Sequence, residues 1–505
     1  MNGEKGQALP LAILALTIGM LLIAPFLGHA SASVIGSRTY ADAIFYRNAC
    51  DAGVEHAIWR LVYGGLQTSL PNPGDHITYQ LPEAINGVTP SVTITANATG
   101  GGGATGNITK TVIDTLDFDT GGGYTPDIIK VSNNVCAIVY RGGSNKGYLK
   151  TLSVSTSGDI GSSAISTLAL DTSQCYEPNI IHVTGNIYAI AYRAASNWGY
   201  LKTVSIDTNG IIGGSVISTL IFDTSACYKP STVQVTTNIF AIAYRGSSNR
   251  GYLKTVSINS SGIIGGSVIS TLIFDTSACY EPSIVQVAGN IFAIAYRGSS
   301  NRGYLKTVSI NSSGIIGSSV ISTLIFDTSA CYEPSTVQVA SSIFAIAYRG
   351  SSNRGYLKTV SINSSGIIGT SAISTLIFET TTCYEPDIIP IAGDVYAITY
   401  RNSTNKGYLK TVSIASDGTI TQTAIDTFNF ETSSCTTPRI INIYNNIYTV
   451  AYLGAGNDGY LETIGIASGT GVNVYKIDAS AGDTSIQAYV STSDTTASIL
   501  SWQIK

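Results

Sequence analysis

Two short motifs recur along this 505-residue chain and hold most of its side chains suited to recognition chemistry. The first, Tyr-Arg-x-x-x-Asn-x-Gly-Tyr-Leu-Lys, places arginines at Arg141, Arg193, Arg245, Arg297, Arg349 and Arg401. The second, Asp/Glu-Thr-x-x-Cys-Tyr-Glu-Pro, is seen in the run from Asp171 through Cys175, Tyr176 and Glu177 to Pro178. Aromatic faces beside planar hydrogen-bonding groups suit glycans, and a repeated shallow site gains avidity when several copies engage together. The candidate ligand-binding residues are Arg193, Arg245, Arg297, Arg349 and Arg401, with Asn249, Asn301, Asn353, Tyr252, Tyr304, Tyr356, Glu281 and Glu333. A scaffold reading stands beside this one. Asn249 and Gly251 suit a turn, Tyr244 can pack between repeats, and Arg245 can pair with Asp223 or Glu281.

No comparable pattern points to catalysis. His29, His56, His76 and His182 are scattered, and neither a nucleophile elbow, a zinc-protease motif nor a carboxylate pair occurs. No catalytic residue, cofactor or metal is expected, and a glycan-active hydrolase or lyase ranks third among the functional readings.

Aligned on the motif tyrosine, the copies fall at Tyr140, Tyr192, Tyr244, Tyr296, Tyr348, Tyr400 and Tyr452, a period of 52 residues without insertion or deletion. One period holds four short alternating runs, TVQV, IFAIAYR, GYLKTVSI and VISTLIFDT, separated by Asn-, Ser- and Gly-containing turns. Four strands per repeat of this length is the pattern of a β-propeller blade. The loops before the first strand and between the second and third then share one face, which brings the two motifs together. Thr109 to Thr120 matches only a fourth strand, whereas the last copy, Arg439 to Ser468, supplies the first three. A composite blade built from both ends leaves no free sheet edge, so a seven-bladed ring is expected. In the seventh copy Leu453 replaces the arginine, Glu462 the lysine and Thr436-Thr437 the Tyr-Glu pair.

With 44% apolar and 11% charged residues and a net charge of −4, the chain has a large core and no basic surplus for nucleic acid. Cys175, Cys227, Cys279, Cys331, Cys383 and Cys435 share the 52-residue period, with Cys50 and Cys136 outside it. Buried thiols are the main reading. Disulfides between blades are the alternative, and metal ligation is disfavoured because no CxxC or Cys–His spacing occurs.

Ala8 to Leu27 is an uncharged, mostly apolar run long enough to cross a bilayer, and helical spacing continues beyond it with no proline until Pro71. A secretory signal with a small-residue site at Ala30-Ser31-Ala32 is the competing reading. The charged leader ending at Gly6, the apolar start at Gln7 and the Asp-Ala-Gly-Val-Glu run at Asp51 to Glu55 resemble minor pilins of the PilX-like subgroup over about the first 65 residues. The resemblance implies processing between Gly6 and Gln7 and assembly with other pilin subunits, although Leu11 stands where many pilins carry glutamate.

The expected organisation is a leader (1–6), an apolar helix (7–28), its amphipathic continuation (29–66), a small β head (75–108 with 471–505) and the propeller (109–470) inserted within it. The whole reads as mainly β, with the propeller held outside the cell by a single N-terminal membrane helix or carried in a pilus. It would act as a non-catalytic adhesin toward a glycan or a cell-surface protein. A structural spacer or assembly platform is the alternative.

Overall fold

The chain is described here from a computed structural model covering residues 41–70, 74–98, 105–468, 473–492 and 497–504. Gly6, Gln7 and the apolar run Ala8 to Leu27 lie outside the described residues. The chain divides into two compact units, Met1–Thr99 with Gly471–Lys505, and Gly100–Thr470.

In the first unit a helix occupies 41–62. Its Ala49, Cys50, Val54, Ala57 and Leu61 recur at three- and four-residue spacing and are buried against Val92, Ile94, Ile477, Ile486 and Ala488. Those partners belong to a five-stranded antiparallel sheet. Its strands, in spatial order, are His76–Gln80, Ser91–Ala98, Asn473–Ala481, Thr484–Thr492 and Ala497–Ile504, drawn from both sides of the repeats.

The expected single N-terminal membrane anchor is corrected here. Among the described residues no helix is long and apolar enough to cross a membrane. The physical reason is plain in 41–62, where Asp42, Arg47, Asp51, Glu55 and Arg60 lie around the rest of the helix and leave it apolar on one face only. The Asp51 to Glu55 run lies inside this helix.

The second unit is mainly β and propeller-like: seven four-stranded antiparallel sheets follow one another. The sheet around Tyr244 is representative, with strands Tyr228–Thr236, Ile239–Arg245, Gly251–Ser257 and Ser270–Asp275 in that spatial order. Its second strand is buried on both faces from Ile239 to Tyr244, as an unbroken apolar run between neighbouring sheets must be. The turn to the third strand needs left-handed backbone at Ser248 and Asn249 (φ 56° and 59°) and is closed by Gly246 N–H on the Arg250 carbonyl at 2.8 Å. A Cβ at Gly246 would stand 2.3 Å from the Tyr252 ring, so a side chain there requires that ring to move.

First strands of successive sheets lie side by side, and that of the last sheet, Thr436–Tyr444, contacts that of the first, Tyr124–Ser132. The last sheet is composite: Asp114–Asp119 pairs antiparallel with Gly459–Gly465. Between its third and fourth strands the chain is cut, yet an Ile108–Ile466 bridge stands where sister repeats have bridges such as Ile258–Ile264 within one hairpin. All eight cysteines are free and buried. Burial pushes the Cys136 thiol up to about 12.

Candidate functional site

The motif arginines form a ladder with the tyrosines that open each first strand. Arg193 Cζ sits 4.3 Å from the Tyr176 ring centre and 4.9 Å from that of Tyr228. Arg245 is held likewise between Tyr228 (4.1 Å) and Tyr280 (5.0 Å). Arg297 and Arg349 repeat the arrangement. The ladder starts where Arg141 lies over Tyr124 and ends with Arg401 over Tyr384, because the seventh repeat has Thr436 and Leu453 at these positions. Each rung is a cation on one or two aromatic faces, worth roughly 0.5–2 kcal/mol depending on desolvation.

Most of the other expected ligand-binding residues are committed to this ladder or its turns. Glu281 and Glu333 face Arg297 and Arg349 at 3.5 and 3.4 Å, and their Oε2 atoms accept the backbone N–H of Glu333 and Glu385 in the next repeat. Asn301 and Asn353 accept from the guanidinium groups of Arg297 and Arg349. Asn249, Asn301 and Asn353 all adopt left-handed backbone and present their carbonyls to Cys279, Cys331 and Cys383. Tyr252, Tyr304 and Tyr356 stack at 5.6 Å on Tyr244, Tyr296 and Tyr348. Arg193 pairs with Glu177 at 3.3 Å and Arg401 with Glu385 at 2.8 Å. The sequence-predicted residues thus share one face, where the structure binds most of them to one another.

A second network fastens neighbouring sheets. Tyr244 Oη and Lys254 Nζ both donate to Asp223 of the preceding sheet, at 2.5 and 2.8 Å, and Lys254 also donates to the Phe222 carbonyl. Burial raises the Asp223 pKa, but the lysine and tyrosine hydrogen bonds outweigh it and hold the carboxyl below its ordinary value. Six junctions use this lysine–carboxylate–tyrosine arrangement, from Asp119 with Lys150 to Glu379 with Lys410. The junction into the composite sheet does not. There the Tyr452 hydroxyl lies within hydrogen-bond distance of both Glu431 and Glu462, at 2.9 and 2.8 Å, with a single proton to give to one of them, and Glu462 is only 4% exposed. Burial, with the Glu431 charge adding to it and the Tyr452 hydrogen bond opposing, pushes Glu462 up to about 7.

The first strands enclose a cavity of about 270 Å³, and here the repeats diverge. At its mouth stand Thr125, Glu177, Lys229, Glu281, Glu333, Glu385 and Thr437, one from each repeat and all with φ between 47° and 53°. Two residues deeper the wall carries Asp127, Asn179, three serines, Asp387 and Arg439. Asp127 accepts from the Asn179 amide and the Ile180 N–H, and burial pushes it up to about 6. Burial also raises Asp387, against the opposing Arg439 charge and the Ile440 N–H. Thr125 and Thr437 hydroxyls in this wall are buried without a hydrogen-bond partner among the described residues.

Sequence reasoning missed this cavity. Its residues are not close in the chain, and motif searches see only local spacing. The available signal was a column of the repeat alignment: between a tyrosine kept in six repeats and a proline kept in all seven, one position reads Thr, Glu, Lys, Glu, Glu, Glu, Thr.

Neither a family model nor a curated protein matches the chain. Among solved structures it is similar to a periplasmic gluconolactonase of Pseudomonas aeruginosa, at 9% identity and a TM-score of 0.44, over 76% of this chain and 97% of that one. It is also similar to a protein of unknown function from Dyadobacter fermentans, at 11% identity and a TM-score of 0.42, over 70% and 98% of the two chains. The functional argument therefore rests on this chain's own geometry.

Proposed function

We propose that the seven sheets close as a seven-bladed propeller acting as a non-catalytic recognition module, and that it holds an acidic polysaccharide on the face bearing the ladder. One observation carries this reading. The residue after the turn asparagine is Lys146, Arg250, Arg302, Arg354 or Lys406 in five of the seven repeats, and none of these side chains has an ion pair among the described residues. Arg250, Arg302 and Arg354 are exposed on the turns that project from that face. Trp198 and Asp458 occupy the two remaining positions. The ladder arginines supply rigidity and these outer cations supply contact. A rim of like charge on a chain whose net charge is −4 concentrates an anionic polymer at one surface, and engagement of several equivalent tips multiplies a weak single contact.

The test is binding of the full-length protein to polygalacturonate and, as a neutral control, to dextran, compared with Arg250→Ala/Arg302→Ala/Arg354→Ala. Expected is binding to the acidic polymer that weakens at high salt and falls at least tenfold in the variant, with an unchanged unfolding midpoint. Equal binding by the variant, or none by the wild type, would leave the face as an inert spacer surface.

A further inference from the structure

The third repeat departs from its sisters at one point that the polymer-binding rim does not use. In the second, fourth, fifth and sixth repeats a glutamate at the cavity mouth turns outward to the ladder arginine, at 3.3, 3.5, 3.4 and 2.8 Å. Its Oε2 is also met by a backbone N–H of the next repeat: Lys229 on Glu177, Glu333 on Glu281, Glu385 on Glu333 and Thr437 on Glu385. Two donors, a guanidinium and an amide, thus hold one carboxylate.

In the third repeat that glutamate is Lys229. Arg245 keeps its place between Tyr228 and Tyr280, so its guanidinium plane is fixed, but among the described residues it has neither an ion pair nor the bond to its turn asparagine that Arg141, Arg193, Arg297, Arg349 and Arg401 make. The Glu281 N–H, equivalent to the amides that hold the sister carboxylates, meets no side-chain acceptor among the described residues. The carboxylate has been removed while its donors remain, and a second cation has been added at the mouth of the cavity. The first repeat also lacks the glutamate, at Thr125, but brings no such cation.

We infer that Lys229, Arg245 and the Glu281 N–H form a seat for a carboxylate of a bound acid, which takes the position that the repeat's own glutamate occupies elsewhere. The second and sixth repeats display the bound state, where arginine Nε and the amide both donate to one oxygen of Glu177 or Glu385; in the fourth and fifth the Nε stands at ion-pair distance, 3.5 and 3.4 Å. Because the guanidinium is already clamped between two rings, little side-chain entropy is lost on binding, and a planar fork matches a carboxylate. The ligand class is a small organic acid or a uronic acid unit. The second source rests on the polysaccharide reading above, whereas the seat itself rests on its own geometry.

The repeat supplies its own control, since Lys229→Glu recreates the pattern of four sister repeats and is expected to fold at least as well as wild type. Full-length protein is titrated calorimetrically with sodium galacturonate, with galactose as the neutral analogue and with polygalacturonate. Expected is millimolar binding of galacturonate, none of galactose, and at least tenfold weaker galacturonate binding in Lys229→Glu with an equal or higher unfolding midpoint. Lys229→Met, which keeps Arg245, should fall between. Binding of galacturonate by Lys229→Glu with wild-type affinity, or no binding by wild type, overturns the seat. The arms separate the two proposals: the Arg250/Arg302/Arg354 variant should lose the polymer and keep the monomer. Polymer bound without monomer removes the seat alone, and monomer bound without polymer removes the rim alone.

Discussion

The junctions between sheets continuous in sequence and the junction into the composite sheet meet the same packing problem with opposite charge. At Asp223 a buried carboxylate is neutralised by Lys254 and Tyr244. At Glu431 the lysine has become Glu462, and two acids share one tyrosine hydroxyl. The apolar packing is retained in both: Tyr452 and Leu461 are as buried as Tyr244 and Leu253. The junction into the composite sheet therefore dispenses with the ionic fastener while its hydrocarbon packing stays intact, and the fastener is an addition to that packing. The cost at the composite sheet is a carboxyl that burial pushes up to about 7.

That comparison is broken most severely from the lysine side. Lys254→Met leaves the buried Asp223 carboxylate facing only Tyr244 and turn amides, and is expected to cost about 3 kcal/mol of unfolding free energy, read as a lower denaturation midpoint. If the midpoint is unmoved, the lysine bridges contribute nothing and the six junctions are held by packing alone.

A nearly equal effect is expected from pH at the other kind of junction. The folded pKa of Glu462 is raised to about 7 from an ordinary 4.5, so the folded state holds this proton more tightly than the unfolded state. The associated stability is complete below about pH 4.5 and is lost as pH rises through 7, up to about 3 kcal/mol in all. Asp127, raised to about 6, acts in the same direction over a lower window. Asp223 and Glu379, both held low, act oppositely, and their contribution is lost only as pH falls below the ordinary carboxylate range. Stability should therefore peak at mildly acidic pH. Glu462→Lys should find the Phe430 carbonyl and Glu431 as its sister lysines find theirs, raise the midpoint at pH 7, and remove Glu462's share of the slope. A slope unchanged in that variant would assign the pH dependence to Asp127 and Asp387.

The smallest effect separates the tyrosine from the lysine. Tyr244→Phe removes one charge-assisted hydrogen bond and keeps the ring stacked beside Tyr252, so about 1.5 kcal/mol should be lost. Tyr452→Phe, whose hydroxyl serves a protonated partner near pH 7, should cost less at that pH. Equal losses at the two sites would mean that Glu462 is ionised in the fold.

Much of this arrangement is visible in the sequence because a strict period reports strand order directly. The run IFAIAYR could only be a strand buried on both faces, and the unmatched Thr109 to Thr120 required a partner strand at the far end of the repeats. The face shared by the two motifs was legible for the same reason. What those side chains do there was not, since an arginine in a list of residues gives no sign that two tyrosines from successive repeats clamp it. The left-handed backbone at Glu177, Glu281 and Glu333 also ran against expectation, because a residue before proline favours extended conformations. At Glu333 it is sustained by an amide bond from that same residue to the neighbouring repeat's carboxylate, Glu333 N–H on Glu281. The membrane anchor was read from composition in a stretch that lies outside the described residues, and the helix that is described, 41–62, is not apolar enough to cross a membrane.

The cut hairpin of the composite sheet has a consequence for the order of events in folding. In a sister sheet the third and fourth strands meet across a separation of 15 residues, as Thr151 and Ser166 do. In the composite sheet Asp114 and Thr463 are 349 residues apart. Closing the longer loop costs about 3 kcal/mol more chain entropy, so the six local sheets form first and the last pairing waits until the two ends of the repeat region have come together. The same seam, carrying Glu462 with its raised pKa, is then the first place for the sheets to separate, and its opening rate should change as pH passes through 7.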